Sequence, residues 1–249
     1  MILFKFLSII FGLILGSFLN VVIFRLPKKL SIITPRSFCP KCSITIPFYR
    51  NIPIISYVLQ KGKCHGCKSS ISIQYLLIEL TIALISFLSF QYFNFPEAIV
   101  FVLIGGILIS ISIIDYRYFI IPLSLSISSI IILIPYSIYY SNTTFHIYGM
   151  LIGLGYLSFI FITTWLITKK QPLGFGDLQL ILILGLWLGP LKILLAIFMS
   201  ALFGILYWIL ISFKNGYSKD LRLPFGTFLS ITSILIYVIP IKWDLFSNF

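Results

Sequence analysis

Ala98 to Ile114 reads AIVFVLIGGILISISII, an uncharged run that stops at Asp115. A bilayer core about 30 Å thick takes about 20 apolar residues of helix to cross, and this stretch comes close on its own. Similar runs recur at about 3–24, 75–93, 98–114, 119–140, 147–168, 178–190, 192–213 and 226–241. They predict an all-α polytopic membrane protein of about eight transmembrane helices, with the sixth short enough to be re-entrant. Composition agrees. The 249 residues are 59% hydrophobic and 10% charged, with a mean hydropathy of +1.10. Soluble domains carry about 25% charged residues, so a single-core soluble fold, a coiled coil and a disordered chain are excluded.

Working outward, Gly12-x-x-x-Gly16 and Gly149-x-x-x-Gly153 have the small-residue spacing that lets membrane helices approach. Gly189-Pro190 leaves almost no connection between the sixth and seventh runs. The first run, with Lys5 ahead of it, resembles a signal peptide but lacks a small-x-small cleavage site, and is read as a retained helix. The organisation expected is a first helix over 1–24, a cytosolic loop domain over 25–74 and a membrane core over 75–249.

Alternating sides along these helices puts segments 25–74, 115–118, 169–177 and 214–225 on one face. That face holds 15 of the 18 Lys and Arg, leaving only Lys5, Lys192 and Lys242 elsewhere. Positive residues stay cytoplasmic during insertion, so this face is the cytosol. The net charge of +12 is thus a topogenic signal, and nucleic acid is not an expected partner.

All four cysteines fall in the first cytosolic loop, as Cys39-Pro-Lys-Cys42 and Cys64-His-Gly-Cys67. Two C-x-x-C pairs separated by 21 residues suit two knuckles closing one tetrahedral thiolate site for structural Zn(2+). Pro40 and Gly66 help the turns, and His65 is expected beside the site rather than in it. In the reducing cytosol metal binding is favoured over disulfides, with reduced thiols or a redox pair as the alternatives. A loop of this length with little core needs such a staple.

Only six acids are present: Glu79, Glu97, Asp115, Asp177, Asp220 and Asp244. Asp115 ends its apolar run. Asp177 sits in Gly174-Phe175-Gly176-Asp177, just before the next run. Two spans separate them, which returns both to the cytosolic boundary on different helices. Two converging carboxylates share a proton, and one can then activate water while the other protonates a leaving amine. Gly174 and Gly176 would let an extended substrate backbone come close. Three other readings stay open at this level. Each Asp could be a lone boundary residue paired with Arg117, Lys169 or Lys170. The pair could serve a proton or ion pathway. The chain could also be a non-catalytic assembly protein with a zinc loop.

The chain resembles the bacterial prepilin peptidases, or type IV leader peptidases, membrane aspartyl peptidases of the GxGD type. The resemblance rests on Gly16-Ser17-Phe18-Leu19-Asn20 through Arg25-Leu26-Pro27, on Asn51-Ile52-Pro53 and on Lys63-Cys64-His65-Gly66-Cys67 with Tyr75 and Glu79. It continues through Asp115 with Ile121-Pro122, Gly174-Phe175-Gly176-Asp177 and Leu223-Pro224-Phe225-Gly226. It implies that Asp115 and Asp177 are the catalytic pair of an enzyme in the bacterial inner membrane. The implied substrates are prepilins and pseudopilins, whose short basic leader is removed at the cytosolic face beside the lipid bilayer. It implies N-methylation of the new N-terminus with S-adenosylmethionine as well. Three positions depart from the family: Gln179 for a frequent Lys, Leu123 for an acidic or amide residue, and Thr227 for a frequent proline. Glu79, Asn20 and Arg25 are expected to gather at the cytosolic helix ends. There Glu79 either binds substrate or methyl donor or pairs with Arg25. Glu97, Asp220 and Asp244 are read as loop charges.

Overall fold

The computed structural model describes residues 2–140, 142–169, 174–216 and 222–239. Among these residues the structure is helical, with isolated bridges in place of a sheet. Asp220, Asp244 and Lys170 lie outside the described residues. Two compact units divide the chain at Ile114 and Asp115.

In the first unit, α1 (Ile2–Arg25) leads through a loop carrying the short α2 (Ile55–Leu59) to α3 (Ile73–Tyr92), and α4 begins at Phe95. α1 and α3 pack closely along the first glycine pair. A side-chain carbon on Gly12 would lie 2.6 Å from Ala83 Cα, and one on Gly16 would lie 2.8 Å from Glu79 Cα. Each backbone therefore fills the place where the other's side chain would stand. The Ser86 hydroxyl donates to Ser8 O at 2.7 Å across the same seam. Leu19, Val22, Ile78 and Ile82 are buried around it.

α4 (Phe95–Tyr118) runs one turn beyond the apolar stretch that predicts it. Hydropathy ends at Asp115, but the helix ends only where Phe119 adopts φ 55°. At its other end Glu97 is no loop charge. It stands in the first helical turn, where its N–H donates to Asn94 Oδ1 and its carboxylate accepts from Asn94 Nδ2, both at 3.1 Å. This reciprocal bonding caps the helix.

The second unit comprises the end of α4, α5 (Leu123–Tyr140), α6 (Thr143–Thr168), α7 (Phe175–Leu188), α8 (Pro190–Asn215) and α9 (Phe225–Val238). α7 is its hub and touches α5, α6, α8 and α9. Leu180, Ile181, Ile183, Leu184, Trp187 and Leu188 are all buried. A helix apolar on every side belongs inside its neighbours. The second glycine pair sets the α6–α7 seam, where a side-chain carbon on Gly149 would come 2.3 Å from Gly185 O. Gly189 joins α7 directly to α8 with φ 75°, and a side chain there would strike the Phe145 ring. Glycine satisfies both demands.

Among the described residues five helices are long and apolar enough to cross a membrane: those at Leu3–Lys28, Ile73–Tyr92, Phe95–Tyr118, Thr143–Thr168 and Pro190–Lys214. Leu123–Tyr139, Phe175–Leu188 and Phe225–Val238 are shorter. All eight expected runs are helices, and their outer faces carry exposed apolar side chains such as Leu151, Phe159, Leu206 and Leu210. Several of the buried serines that interrupt them donate to their own backbone four residues back, as Ser110 does to Gly106 O and Ser129 to Leu125 O. These bonds satisfy the hydroxyls within each helix.

Candidate active site

Asp115 is buried in the last turn of α4. Its Oδ2 accepts two hydrogen bonds from one residue: the Thr227 N–H at 2.7 Å and the Thr227 hydroxyl at 3.0 Å. Thr227 opens α9, where Pro224 precedes the first turn and the unpaired N–H groups of a helix start are available to an anion. The departure from the frequent proline thus supplies both donors, since proline has neither an N–H nor a hydroxyl.

Asp177 is the third residue of α7 and half-buried. Its Oδ2 reaches back to accept the Gly174 N–H at 3.1 Å, which satisfies one donor of the helix start. The two carboxylates lie near enough to act on each other electrostatically. Among the described residues neither forms an ion pair. Lys169 instead lies over the Trp165 ring, 5.5 Å from its centroid, and Arg117 is exposed.

Ile121 stands between the two acidic elements. A side-chain carbon on Gly176 would meet Ile121 Cβ at 3.1 Å, and one on Gly226 would meet Ile121 Cδ1 at 2.9 Å and Asp115 Oδ2 at 3.1 Å. Gly176 is therefore needed for space. Gly174 has an ordinary extended backbone, φ −74°, and no conformational demand for glycine is visible there. Gln179 donates to the Ser126 hydroxyl on α5, which ties α7 to its neighbour without adding charge. Leu123 is exposed at the start of α5.

The candidate residues of the first unit separate into distinct interactions. Arg25 is buried, and its guanidinium donates to Ser31 O and Pro35 O at 2.8 Å and to Arg36 O at 3.2 Å. Glu79 is buried too and accepts the Ile54 N–H at 2.7 Å, with the Ser17 side chain beside the same carboxylate. The alternative of an Arg25–Glu79 pair is not formed, because backbone groups of the loop occupy both. Asn20 donates to Tyr75 O at 3.0 Å, while its Oδ1 is buried without a partner. A cavity of about 460 Å³ opens beside them, lined by Ser17, Phe18, Arg25, Arg36, Asn51 and Pro53 among others.

Sequence reasoning missed Ile54. It adopts φ 62°, ψ −55°, and Ile55 N–H bonds to Pro53 O at 2.6 Å across it. This is the rare positive-φ γ-turn, strained for any residue with a side chain. No residue type in Asn51-Ile52-Pro53-Ile54 signals it.

The four thiol sulfurs lie within 4.8 Å of one another, with Cys39–Cys67 and Cys42–Cys64 each at 3.9 Å. Tetrahedral zinc with Zn–S of about 2.3 Å sets its sulfurs about 3.8 Å apart, so the donor set fits that ion. Both knuckles fold alike. Cys39 N–H bonds to Ile44 O and Ser43 N–H returns to Cys39 O; Cys64 and Ser69, then Lys68 and Cys64, repeat the pattern. The tight turns fall at Ser43 and Lys68, φ 58° and 57°, one residue past each pair rather than at Pro40 or Gly66. His65 is exposed and outside the cluster. The Ser69 hydroxyl, 3.0 Å from Cys67 Sγ, holds that thiol down to about 6.

Comparison with known proteins fits this geometry. Residues 10–93 match the Bacterial Peptidase A24 N-terminal domain, and residues 102–209, which include both aspartates, match the Type IV leader peptidase family. A prepilin leader peptidase/N-methyltransferase of Dichelobacter nodosus is 30% identical, over 92% of this chain and 89% of that protein. Proteins of the same description from Pseudomonas aeruginosa (31% identical, 90% and 86% covered) and Legionella pneumophila (30%, 91% and 88%) are similarly close. No solved structure matches. The chain belongs to the type IV leader peptidase family.

Proposed function

We propose that the chain is a membrane aspartic endopeptidase that removes the short basic leader from type IV prepilins or pseudopilins. We further propose that it N-methylates the new N-terminus using S-adenosylmethionine. The observation that carries the peptidase reading is the placement of Asp115 and Asp177 on two helices of one unit, within electrostatic reach of each other. Each is anchored through Oδ2 by a helix-start N–H. A water between the carboxylates would give a proton to the ionised member as its oxygen attacks the scissile carbonyl. The protonated member meanwhile donates to the carbonyl oxygen. Collapse of the resulting gem-diol breaks the C–N bond, the leaving nitrogen takes a proton, and the pair again holds one proton between them. No bond to the enzyme forms.

The basic residues flanking the apolar helices support an inner-membrane protein of about eight spans with its site facing the cytosol. A basic leader meeting Asp115 and Asp177 there would leave its hydrophobic segment in the bilayer. In the loop, Cys39, Cys42, Cys64 and Cys67 would hold structural zinc, which cross-links the two knuckles.

For the second activity, the cavity beside Arg25 is the site we favour. Arg25 and Arg36 offer positive charge to a carboxylate, Ser17 and Asn51 offer polar contacts, and Phe18 and Pro53 an apolar wall. S-adenosylmethionine, when bound, supplies an electrophilic methyl group to the product's amine. Glu79, bonded to Ile54 and beside Ser17, would hold the wall of this cavity, and Asn20 would support it through Tyr75. The deciding experiment incubates purified protein in detergent with a prepilin and follows cleavage by mass spectrometry. Wild type is expected to release the leader, and Asp115→Ala and Asp177→Ala are not. Undiminished cleavage by either variant overturns the assignment.

A further inference from the structure

We propose that Thr227 is a positioning residue for Asp115, fixing which carboxylate oxygen faces the catalytic water. The inference rests on the peptidase reading above and names a part of its machinery that neither the sequence motifs nor the relatives assign.

Two donors of one residue converge on one oxygen. The Thr227 N–H and hydroxyl reach Asp115 Oδ2 at 2.7 and 3.0 Å, and Thr227 and Asp115 are both buried, each 6% exposed. Among the described residues Oδ1 accepts nothing. A carboxylate held by a single bond can still swing about its side-chain torsions. One held by two bonds from a fixed helix start has its plane and its unbonded oxygen set. The backbone N–H is placed by the first turn of α9, and the hydroxyl by a β-branched side chain with few rotamers. Gly226 completes the arrangement. A side-chain carbon there would stand 3.1 Å from the same Oδ2 and 2.9 Å from Ile121, so the Asp115 carboxylate packs against bare backbone on that side.

The consequence is a division of labour between the two oxygens. Oδ2 is anchored and Oδ1 is left to exchange a proton with water. Loss of the anchor would leave substrate binding intact and slow the chemical step, because the bound water and carboxylate would meet in the reactive geometry less often.

The test uses the full-length protein in detergent with a purified prepilin, and measures kcat and KM for Thr227→Ser and Thr227→Val. Valine keeps the shape and the N–H but removes the hydroxyl; serine restores the hydroxyl. Thr227→Val is expected to lower kcat about tenfold or more with KM unchanged, and Thr227→Ser to recover most of it. A charge-assisted hydrogen bond carries about that factor. Thermal unfolding of each variant separates a folding defect from a slowed turnover, with kcat taken per folded molecule. Full kcat in Thr227→Val, or a serine variant as slow as valine at equal folded fraction, overturns the proposal. Asp115→Asn runs alongside. If it cleaves normally, the dyad reading falls and the positioning role with it. If it is inactive while Thr227→Val is fully active, the positioning role alone falls.

Discussion

Ile121 and Gly176 are in contact so close that a side-chain carbon on the glycine would lie 3.1 Å from Ile121 Cβ. The residue next to that glycine is Asp177. On its other side Ile121 meets Gly226, next to the residue that anchors Asp115. One aliphatic side chain therefore spaces the two acidic elements. Gly176→Ala is expected to cost about 1–3 kcal/mol by overpacking a β-branched neighbour, and to slow cleavage. Adding Ile121→Ala to Gly176→Ala should recover stability relative to Gly176→Ala alone. Chemical denaturation in detergent and prepilin cleavage check both.

Neutralising either acid should remove general acid–base catalysis, a loss of about 10²–10⁴ in rate. Asp115→Asn and Asp177→Asn are nearly isosteric, so folding and metal content should persist. If the methyl donor binds beside Arg25, both variants should still methylate a prepilin already freed of its leader. Methyl incorporation from labelled donor measures this, and a matching collapse of methylation would place both activities in one site.

Zinc content should be one ion per chain and fall in Cys64→Ser. In metal-free protein the Ser69 hydroxyl keeps Cys67 ionised down to about 6, against an ordinary thiol value of 9.0. A depressed value means that Cys67 favours the folded loop fully above about pH 9, less as pH falls, and no longer once pH drops below about 6. Alkylation of the chelator-treated protein, followed against pH, should show Cys67 reacting with a midpoint near 6. Ser69→Ala should move that midpoint upward. An unchanged midpoint would remove Ser69 from the explanation.

Ile54 carries backbone strain that glycine would relieve. Ile54→Gly is expected to stabilise the first unit by about 1 kcal/mol, seen as a raised unfolding midpoint. Glu79→Ala should remove the acceptor of the Ile54 N–H and lower both stability and methylation. Glu79→Gln keeps an oxygen acceptor and should hold the loop. If Glu79→Gln also leaves cleavage and methylation unchanged, the acid's charge has no part in either reaction.

Much of this site is legible in one sequence because its chemistry resides in rare residue types. Two aspartates among six acids, and four cysteines in one loop, stand out against an apolar chain. What stays hidden is carried by backbone. Thr227 looks like a loss where proline is frequent, since a string of letters does not show its N–H aimed at Asp115 from the start of another helix. Ser43 and Lys68 turn the knuckles through φ, which Pro40 and Gly66 misdirect. Arg25 and Glu79 carry opposite charge, yet each is taken by carbonyl or amide groups of the loop. The helix ends at Tyr118 and Ile73 lie a turn or less beyond the apolar runs for a related reason. Hydropathy marks where a segment stops being apolar, while caps and φ decide where it stops being helical.

α7 has 14 residues, about 21 Å of helix, and lies between α6 and α8 of 26 residues each, about 39 Å apiece. A hydrocarbon layer about 30 Å deep exceeds it by roughly 9 Å. Asp177 begins this short helix, so the shortfall is felt beside the reacting groups. If α7 crosses the bilayer as one of the expected spans, the lipid around the bundle must thin there or water must enter, since backbone left open there cannot face hydrocarbon. Hydrophobic mismatch would then be built into the enzyme. Bilayers of short acyl chains should suit it better than those of long ones, and turnover should follow the lipid as well as the peptide.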